Sequence, residues 1–168
     1  MTEVTINKQA RLSEHFTLAE MCKTSAKTAN GNIPSNVHIE NLKRLCGWLE
    51  MLRSEWNRRY ANGRCKMDDV RCKMGDEPIV INSGYRSPAV NKAVGGVATS
   101  NHLTGCAVDI LVLGKEQAIR YACILLDIAD ESQEDFDELL IEQTSKSLWI
   151  HFAVRPFSNR RKVRLMKG

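Results

Sequence analysis

The spacing of the apolar residues changes along this chain, and that change is the strongest constraint on its fold. Apolar residues from Leu42 to Trp56 follow the helical period and predict one long helix with a buried stripe, running to about residue 60. Strand-like runs come later, at 78–81, 107–112, 138–144 and 148–154, with a second amphipathic helix at about 115–129. Helices first and strands clustered later predict an α+β fold, with an antiparallel sheet and helices packed on one side.

The length and composition fit one ordinary domain. The chain has 168 residues, which is enough to bury a core without disulfides or metals. Its formal net charge of +4 is too small to indicate a nucleic-acid partner. We expect a single domain over residues 1–168, with its core at about 12–154 and a basic, solvated C-terminal tail at 155–168.

The first residues and the cysteines indicate in which cellular compartment the chain is made. Residues 1–14 lack the basic-then-apolar pattern of a signal peptide, and no run approaches the roughly 20 apolar residues of a membrane span. We therefore expect a protein that is cytoplasmic on synthesis and has no membrane span. We also expect it to be a monomer. The six cysteines form no CxxC pair, so we expect free thiols in a reducing compartment.

Two of the four histidines lie in strand-like or strand-edge contexts, His102 in SNHLTGCAVDI and His151 in LWIHFAV. A catalytic zinc needs three nitrogen or oxygen ligands and leaves a fourth position for water. His102, Asp109 and His151 supply such a set, because a turn at Thr104-Gly105 can bring Asp109 back toward the imidazole. Spacing alone leaves open a loop histidine and a strand-end carboxylate without any metal.

Three motifs follow one another along the chain: SGYRSPAVNKAVGG at 83–96, SNHLTGCAVDI at 100–110 and WIH at 149–151. In this order they resemble the zinc D-alanyl-D-alanine carboxypeptidase family, in particular its small single-domain branch with phage-type cell-wall endopeptidases. The LSxxFTLxE pattern at 12–20 resembles the same branch. The resemblance covers roughly residues 12–154.

The resemblance implies specific roles for residues of this chain. It assigns Zn²⁺ to His102, Asp109 and His151, and it places a carboxylate- or oxyanion-binding arginine at Arg86. It also implies a fold like that of the zinc carboxypeptidases and hedgehog domains. A surface salt bridge is the alternative for Arg86.

The general base departs from the better-known family pattern, in which a Glu or His lies three residues before the last zinc histidine. That position is Leu148 here, which cannot accept a proton. Glu142, on the strand before the turn at 145–147, is the best substitute, and hedgehog domains similarly have a Glu upstream of a short turn. Asp137 and Glu138 are weaker candidates because they lie nearer the start of the strand, and an exposed strand carboxylate is the alternative for Glu142.

The resemblance implies a zinc metallopeptidase that hydrolyses peptidoglycan stem peptides, either as a D-Ala-D-Ala carboxypeptidase or as a cell-wall endopeptidase. The absence of an export signal fits a phage or prophage product that acts at the cell wall. The main alternative is a zinc-stabilised, non-catalytic wall-binding or phage structural module. The presence of Leu148 at the usual position of the general base supports this alternative. Nucleic-acid binding through the tail at 155–167 is a third and weaker interpretation.

Overall fold

The computed structural model describes residues 9–61 and 76–167. Residues 61–77 show neither helical nor strand periodicity, so the sequence predicts an irregular excursion there, and this stretch lies largely outside the described residues. The helices and strands are, in chain order, α1 (Leu18–Met21), α2 (Asn36–Trp56) followed by a π turn (Asn57–Ala61), β1 (Ile81–Ser83), α3 (Pro88–Ala93), a 3-10 helix (Asn101–Thr104), β2 (Ala107–Leu111), α4 (Lys115–Ser132), β3 (Glu138–Gln143), β4 (Leu148–Ala153) and β5 (Lys162–Lys167). The predicted α+β class is confirmed, and the likeness to hedgehog domains stays a prediction.

The five strands form one mixed sheet in the order β1-β2-β4-β3-β5. Three pairs are antiparallel, but β3 and β5 are parallel, so the predicted all-antiparallel sheet is wrong at this edge. The reason is geometric. Because Ala153 at the end of β4 pairs with Glu138 at the start of β3, the chain leaves β4 beside the beginning of β3 and then continues along it in the same direction.

The C-terminal segment is not the solvated tail that the sequence predicts. Residues 162–167 form β5, and the connection to them is held by Asp137, whose side chain is fully buried. The Asp137 carboxylate accepts hydrogen bonds from Arg155 Nη2 at 2.6 Å and Arg160 Nη2 at 2.7 Å. The segment from Arg155 onward is therefore part of the folded structure, although the side chains of β5 stay largely exposed.

The core lies between one face of the sheet and the two long helices. Phe152 in β4 packs against Trp48 of α2, with ring centroids 5.4 Å apart. The apolar side of α4 joins the same core through Leu125 and its neighbours. His151 precedes Phe152 and points to the opposite face, because successive side chains of a strand alternate. The sheet thus separates a buried core from a polar site.

The predicted local signals are largely present. The sequence Thr17-Leu18-Ala19-Glu20 is typical of a capping box, and Thr17 and Glu20 form one at the start of α1. The strand predicted at residues 78–81 lies further along the chain, since β1 spans Ile81–Ser83. Cys46, Cys106 and Cys123 carry free thiols. Among the described residues, no helix combines the length and apolar character needed to cross a membrane.

Candidate metal centre

His102 lies in the 3-10 helix that leads into β2. The Ser100 hydroxyl accepts a hydrogen bond from the His102 backbone N–H at 3.3 Å and caps this helix. Gly105 ends the turn with φ of 71°, a left-handed conformation that glycine adopts without steric cost. A Cβ atom at Gly105 would lie 2.7 Å from the carbonyl oxygen of His38, so the turn also needs a residue without a side chain. The imidazole of His102 is buried.

Asp109 and His151 come from neighbouring strands. They are direct cross-strand partners in the antiparallel pair of β2 and β4. Their side chains leave the sheet on the same face, and both residues are buried. The structure therefore brings together the three residues that the sequence singles out as metal ligands.

Three donor atoms converge in this centre. His102 Nε2 lies 3.2 Å from both Asp109 Oδ1 and His151 Nδ1, and the last two atoms are 3.1 Å apart. Zinc bonds to nitrogen and oxygen of about 2.0–2.1 Å at a tetrahedral angle require ligand atoms about 3.3 Å apart. These three residues form a group able to hold a metal ion, and two imidazoles with one carboxylate are a donor set that suits zinc.

The outer nitrogen of each imidazole is held by an acceptor. His102 Nδ1–H donates to the Gly84 carbonyl oxygen at 2.6 Å. His151 Nε2 lies 3.4 Å from Glu138 Oε2. A carbonyl and a carboxylate oxygen only accept hydrogen bonds, so these outer nitrogens carry hydrogens. His102 Nε2 and His151 Nδ1 are then the nitrogens available to coordinate a metal.

Arg86 contacts the metal centre from the side of β1. Its Nε donates to Ser83 Oγ at 2.8 Å, and its Nη2 donates to Asp109 Oδ2. Asp109 thus directs one oxygen to the histidines and the other to Arg86. Burial alone would raise the Asp109 pKa, but hydrogen bonds with His102 and His151 outweigh it and hold this pKa below its usual range. Arg86 therefore forms its salt bridge with Asp109 inside the site and not at the surface, which was the alternative that the sequence left open.

Glu142 faces the same cleft. Together with Trp149, Leu140 and the three ligands it lines the open pocket above the metal centre. Burial raises the Glu142 pKa, and the charge of His151 opposes this shift. Among the described residues, its carboxylate makes no hydrogen bond or ion pair. Such a carboxylate, half-buried and unpaired beside a metal centre, is suited to accepting a proton.

Glu138 has a different environment on the same face of β3. Its carboxylate contacts His151 and accepts hydrogen bonds from Asn101 at 3.2 Å and Lys162 at 2.9 Å. The hydrogen bond with His151 is the largest cause that lowers the Glu138 pKa, while burial opposes it. From the sequence, Glu138 is predicted only as a weaker candidate base than Glu142. The alternation of Glu138, Leu140 and Glu142 along β3 was the signal that places both glutamates on the site face.

Other residues near the sequence motifs, and the two remaining histidines, have different surroundings. Trp149 lines the cleft beside His151. Leu148 lies at the start of β4 and packs against the apolar core, away from the metal centre. Cys106 is buried and burial raises its pKa, which fits a core residue. His15 binds Glu50, and His38 caps α2.

Comparison with known proteins identifies the relatives of this chain. Residues 14–151 match the family model described as Peptidase M15. A segment of 45 residues is 44% identical to a protein named zinc D-Ala-D-Ala carboxypeptidase from Streptomyces albus G. This segment is 27% of the chain and only 18% of that relative. The family match spans most of the chain and includes all three converging ligands, and the chain therefore belongs to the peptidase M15 family.

Proposed function

We propose that this protein is a zinc-dependent peptidase that hydrolyses the peptide part of peptidoglycan. The observation that carries the proposal is the convergence of His102, Asp109 and His151 within 3.2 Å of one another, below an open cleft that also contains Glu142. The Streptomyces relative, a zinc D-Ala-D-Ala carboxypeptidase by name, supports zinc as the metal and a cell-wall peptide as the substrate.

The three ligands would hold the metal through His102 Nε2, Asp109 Oδ1 and His151 Nδ1. Bound zinc supplies a Lewis acid that polarises a carbonyl group and makes water more acidic. His102 and His151 keep these nitrogens directed inward because Gly84 and Glu138 accept from their outer N–H groups. Arg86 fixes the orientation of Asp109 through the second carboxylate oxygen.

Glu142 is the proposed general base. It takes the proton of the attacking water and returns it to the leaving amine. Glu138 is less suited to this role, because His151, Lys162 and Arg160 already occupy its two oxygens. On this face of β3, Glu138 is thus paired and Glu142 is unpaired. Such a difference between two neighbouring carboxylates is expected where one of them takes part in catalysis.

Arg86 is the proposed substrate anchor. Its contacts with Ser83 and Asp109 use Nε and Nη2, so the Nη1 donors remain available among the described residues. A guanidinium beside the metal can bind a substrate carboxylate or a developing oxyanion. If Arg86 binds the free C-terminal carboxylate of the substrate, the enzyme is a carboxypeptidase. If Arg86 binds only the developing oxyanion, an endopeptidase is favoured.

The test is Glu142→Gln, measured both for zinc content and for release of new amines from peptidoglycan. We expect the variant to keep zinc and to lose at least about 100-fold in hydrolysis, the lower range of a general-base contribution. Wild-type zinc binding without hydrolysis would instead support the non-catalytic wall-binding or phage structural module. Stem peptides with a free or an amidated C-terminus then distinguish carboxypeptidase from endopeptidase action.

The site of action is part of the proposal. A peptidoglycan peptidase acts at the cell wall, and a phage or prophage product would reach the wall through a partner system or in a virion. Cell fractionation of the producing host, with an antibody against the chain, tests where it accumulates.

A further inference from the structure

We infer that Glu138 is a positioning residue of the metal centre and that the C-terminal segment at 155–167 holds it in place. This inference rests on the proposed metal site and adds a supporting shell to it. The side chain of Glu138 is only 14% exposed, and its two oxygens have separate partners. Oε2 contacts His151 Nε2 and Asn101, whereas Oε1 contacts Lys162 and Arg160.

The contact with His151 determines which nitrogen of the ring faces the ligands. A carboxylate oxygen accepts only, so Oε2 favours the ring form with a hydrogen on Nε2. The lone pair of Nδ1 is then directed to the position beside Asp109 Oδ1 and His102 Nε2. Without Glu138, the ring of His151 loses the partner that fixes both its tautomer and its rotation.

The contact with Lys162 connects this centre to β5. Glu138 and Lys162 are register partners in the parallel pair of β3 and β5, and their charged groups are 2.9 Å apart. Arg160, in the preceding loop, approaches the same oxygen at 3.1 Å and also binds the fully buried Asp137. Such pairing stabilises a carboxylate that has little solvent around it. The segment that the sequence predicts to be a solvated tail therefore supplies the cations that hold the Glu138 carboxylate in place.

Asn101 adds a link from the other side of the site. Its Nδ2 donates to Asp137 Oδ2 at 2.8 Å and to Glu138 Oε2 at 3.2 Å. Asn101 directly precedes His102 in the chain, and Glu138 also contacts His151. Asp137 and Glu138 together therefore contact both segments that carry histidine ligands. The arrangement forms one connected support for two of the three ligands.

The experiment measures zinc affinity by chelator competition for Glu138→Ala, Glu138→Gln and the wild type. We expect Glu138→Ala to bind zinc about 10–100-fold more weakly, the usual effect of losing an outer partner of a ligand. Glu138→Gln retains an acceptor without the charge and should fall between the two. Glu40→Ala removes an exposed carboxylate of α2 that pairs with Lys43 outside the site, so it is the matched control and should keep wild-type affinity.

Nitrogen-15 NMR of the imidazoles separates positioning from a general loss of structure. The zinc-loaded wild type should show His151 with its hydrogen on Nε2, and Glu138→Ala should show this signal shifted or broadened while His102 stays unchanged. Wild-type zinc affinity together with an unchanged His151 signal in Glu138→Ala would overturn the inference.

A second pair of variants covers the case in which Glu138→Ala does not fold. Lys162→Met removes the cation that anchors Glu138 and should weaken zinc binding in the same direction, whereas Lys167→Met, at the far end of the same strand, should not. Equal zinc affinity of these two variants would contradict the role of the C-terminal segment. Because all these readouts concern zinc, a failure of the proposed peptidase activity is seen separately, as a wild type that binds zinc without hydrolysis.

Discussion

His102 Nε2 and His151 Nδ1 lie 3.2 Å apart, although the other nitrogen of each ring already faces an acceptor. Two imidazole lone pairs and the Oδ1 atom of Asp109 cannot approach this closely without a positive charge between them. We expect a proton on His151 to supply that charge in the metal-free protein, and zinc would replace it in the proposed enzyme. This exchange has a direct thermodynamic consequence.

Zinc binding should release about one proton at pH 7. Burial lowers the His151 pKa, but hydrogen bonds with Asp109 and Glu138 outweigh it and raise the pKa to about 9. Because Nδ1 must lose its proton to coordinate, zinc affinity should rise about tenfold per pH unit below that value. Calorimetry at pH 7 in two buffers of different ionisation enthalpy measures the release, and identical apparent enthalpies would contradict the prediction.

Gly105→Ala should destabilise the fold and the His102 turn. The φ of 71° costs alanine about 1–2 kcal/mol, and the added Cβ would also meet the His38 carbonyl at 2.7 Å. Gly47→Ala is the control, since nothing lies within 4 Å of its added Cβ and a helix interior gains about 0.5–1 kcal/mol from this change. Urea unfolding of both variants tests the contrast. Equal stability of the two variants would argue against the strained turn.

Asp137→Asn should lower the free energy of unfolding by about 2–3 kcal/mol at pH 7. The substitution leaves the guanidinium groups of Arg155 and Arg160 without their charged partner. Burial alone would raise the Asp137 pKa, but hydrogen bonds from Arg160, Asn101 and Arg155 hold it below its usual value. The stabilisation is thus complete above the ordinary pKa of about 3.9 and is lost as the pH falls through the lower folded-state value.

The stability difference between Asp137→Asn and the wild type should therefore shrink below about pH 4, as unfolding at several pH values can measure. Asp135→Asn is the control for this prediction. Its side chain pairs with Arg161 at the surface and should change stability by less than about 1 kcal/mol. A pH-independent difference for Asp137→Asn would exclude the ion pairs as its cause.

Part of the metal centre could be predicted from local signals in the sequence. Alternation in β4 separates His151 from Ile150 and Phe152, and the turn at Gly105 directs the chain from His102 into β2. The pairing of Asp109 with His151 could be expected only from the family resemblance, because the register between two strands is not encoded in either strand alone.

The C-terminal strand could not be predicted for a physical reason. The sequence KVRLMK of β5 buries little apolar surface, so it lacks the strong signal of a half-buried strand. Its position depends on long-range ion pairs, such as that of Lys162 with Glu138, whose partners lie 24 positions apart. The same ion pair explains why the role of Glu138 could not be seen from β3 alone.

The most direct measurement of the central claim is metal content by mass spectrometry, followed by hydrolysis of peptidoglycan, for the wild type, His151→Ala and His15→Ala. His15 binds Glu50 away from the site and serves as the histidine control. We predict about one zinc per chain with hydrolysis in the wild type and in His15→Ala, and loss of both in His151→Ala. A wild type without zinc, or a His151→Ala variant that retains it, would contradict the metal centre described here.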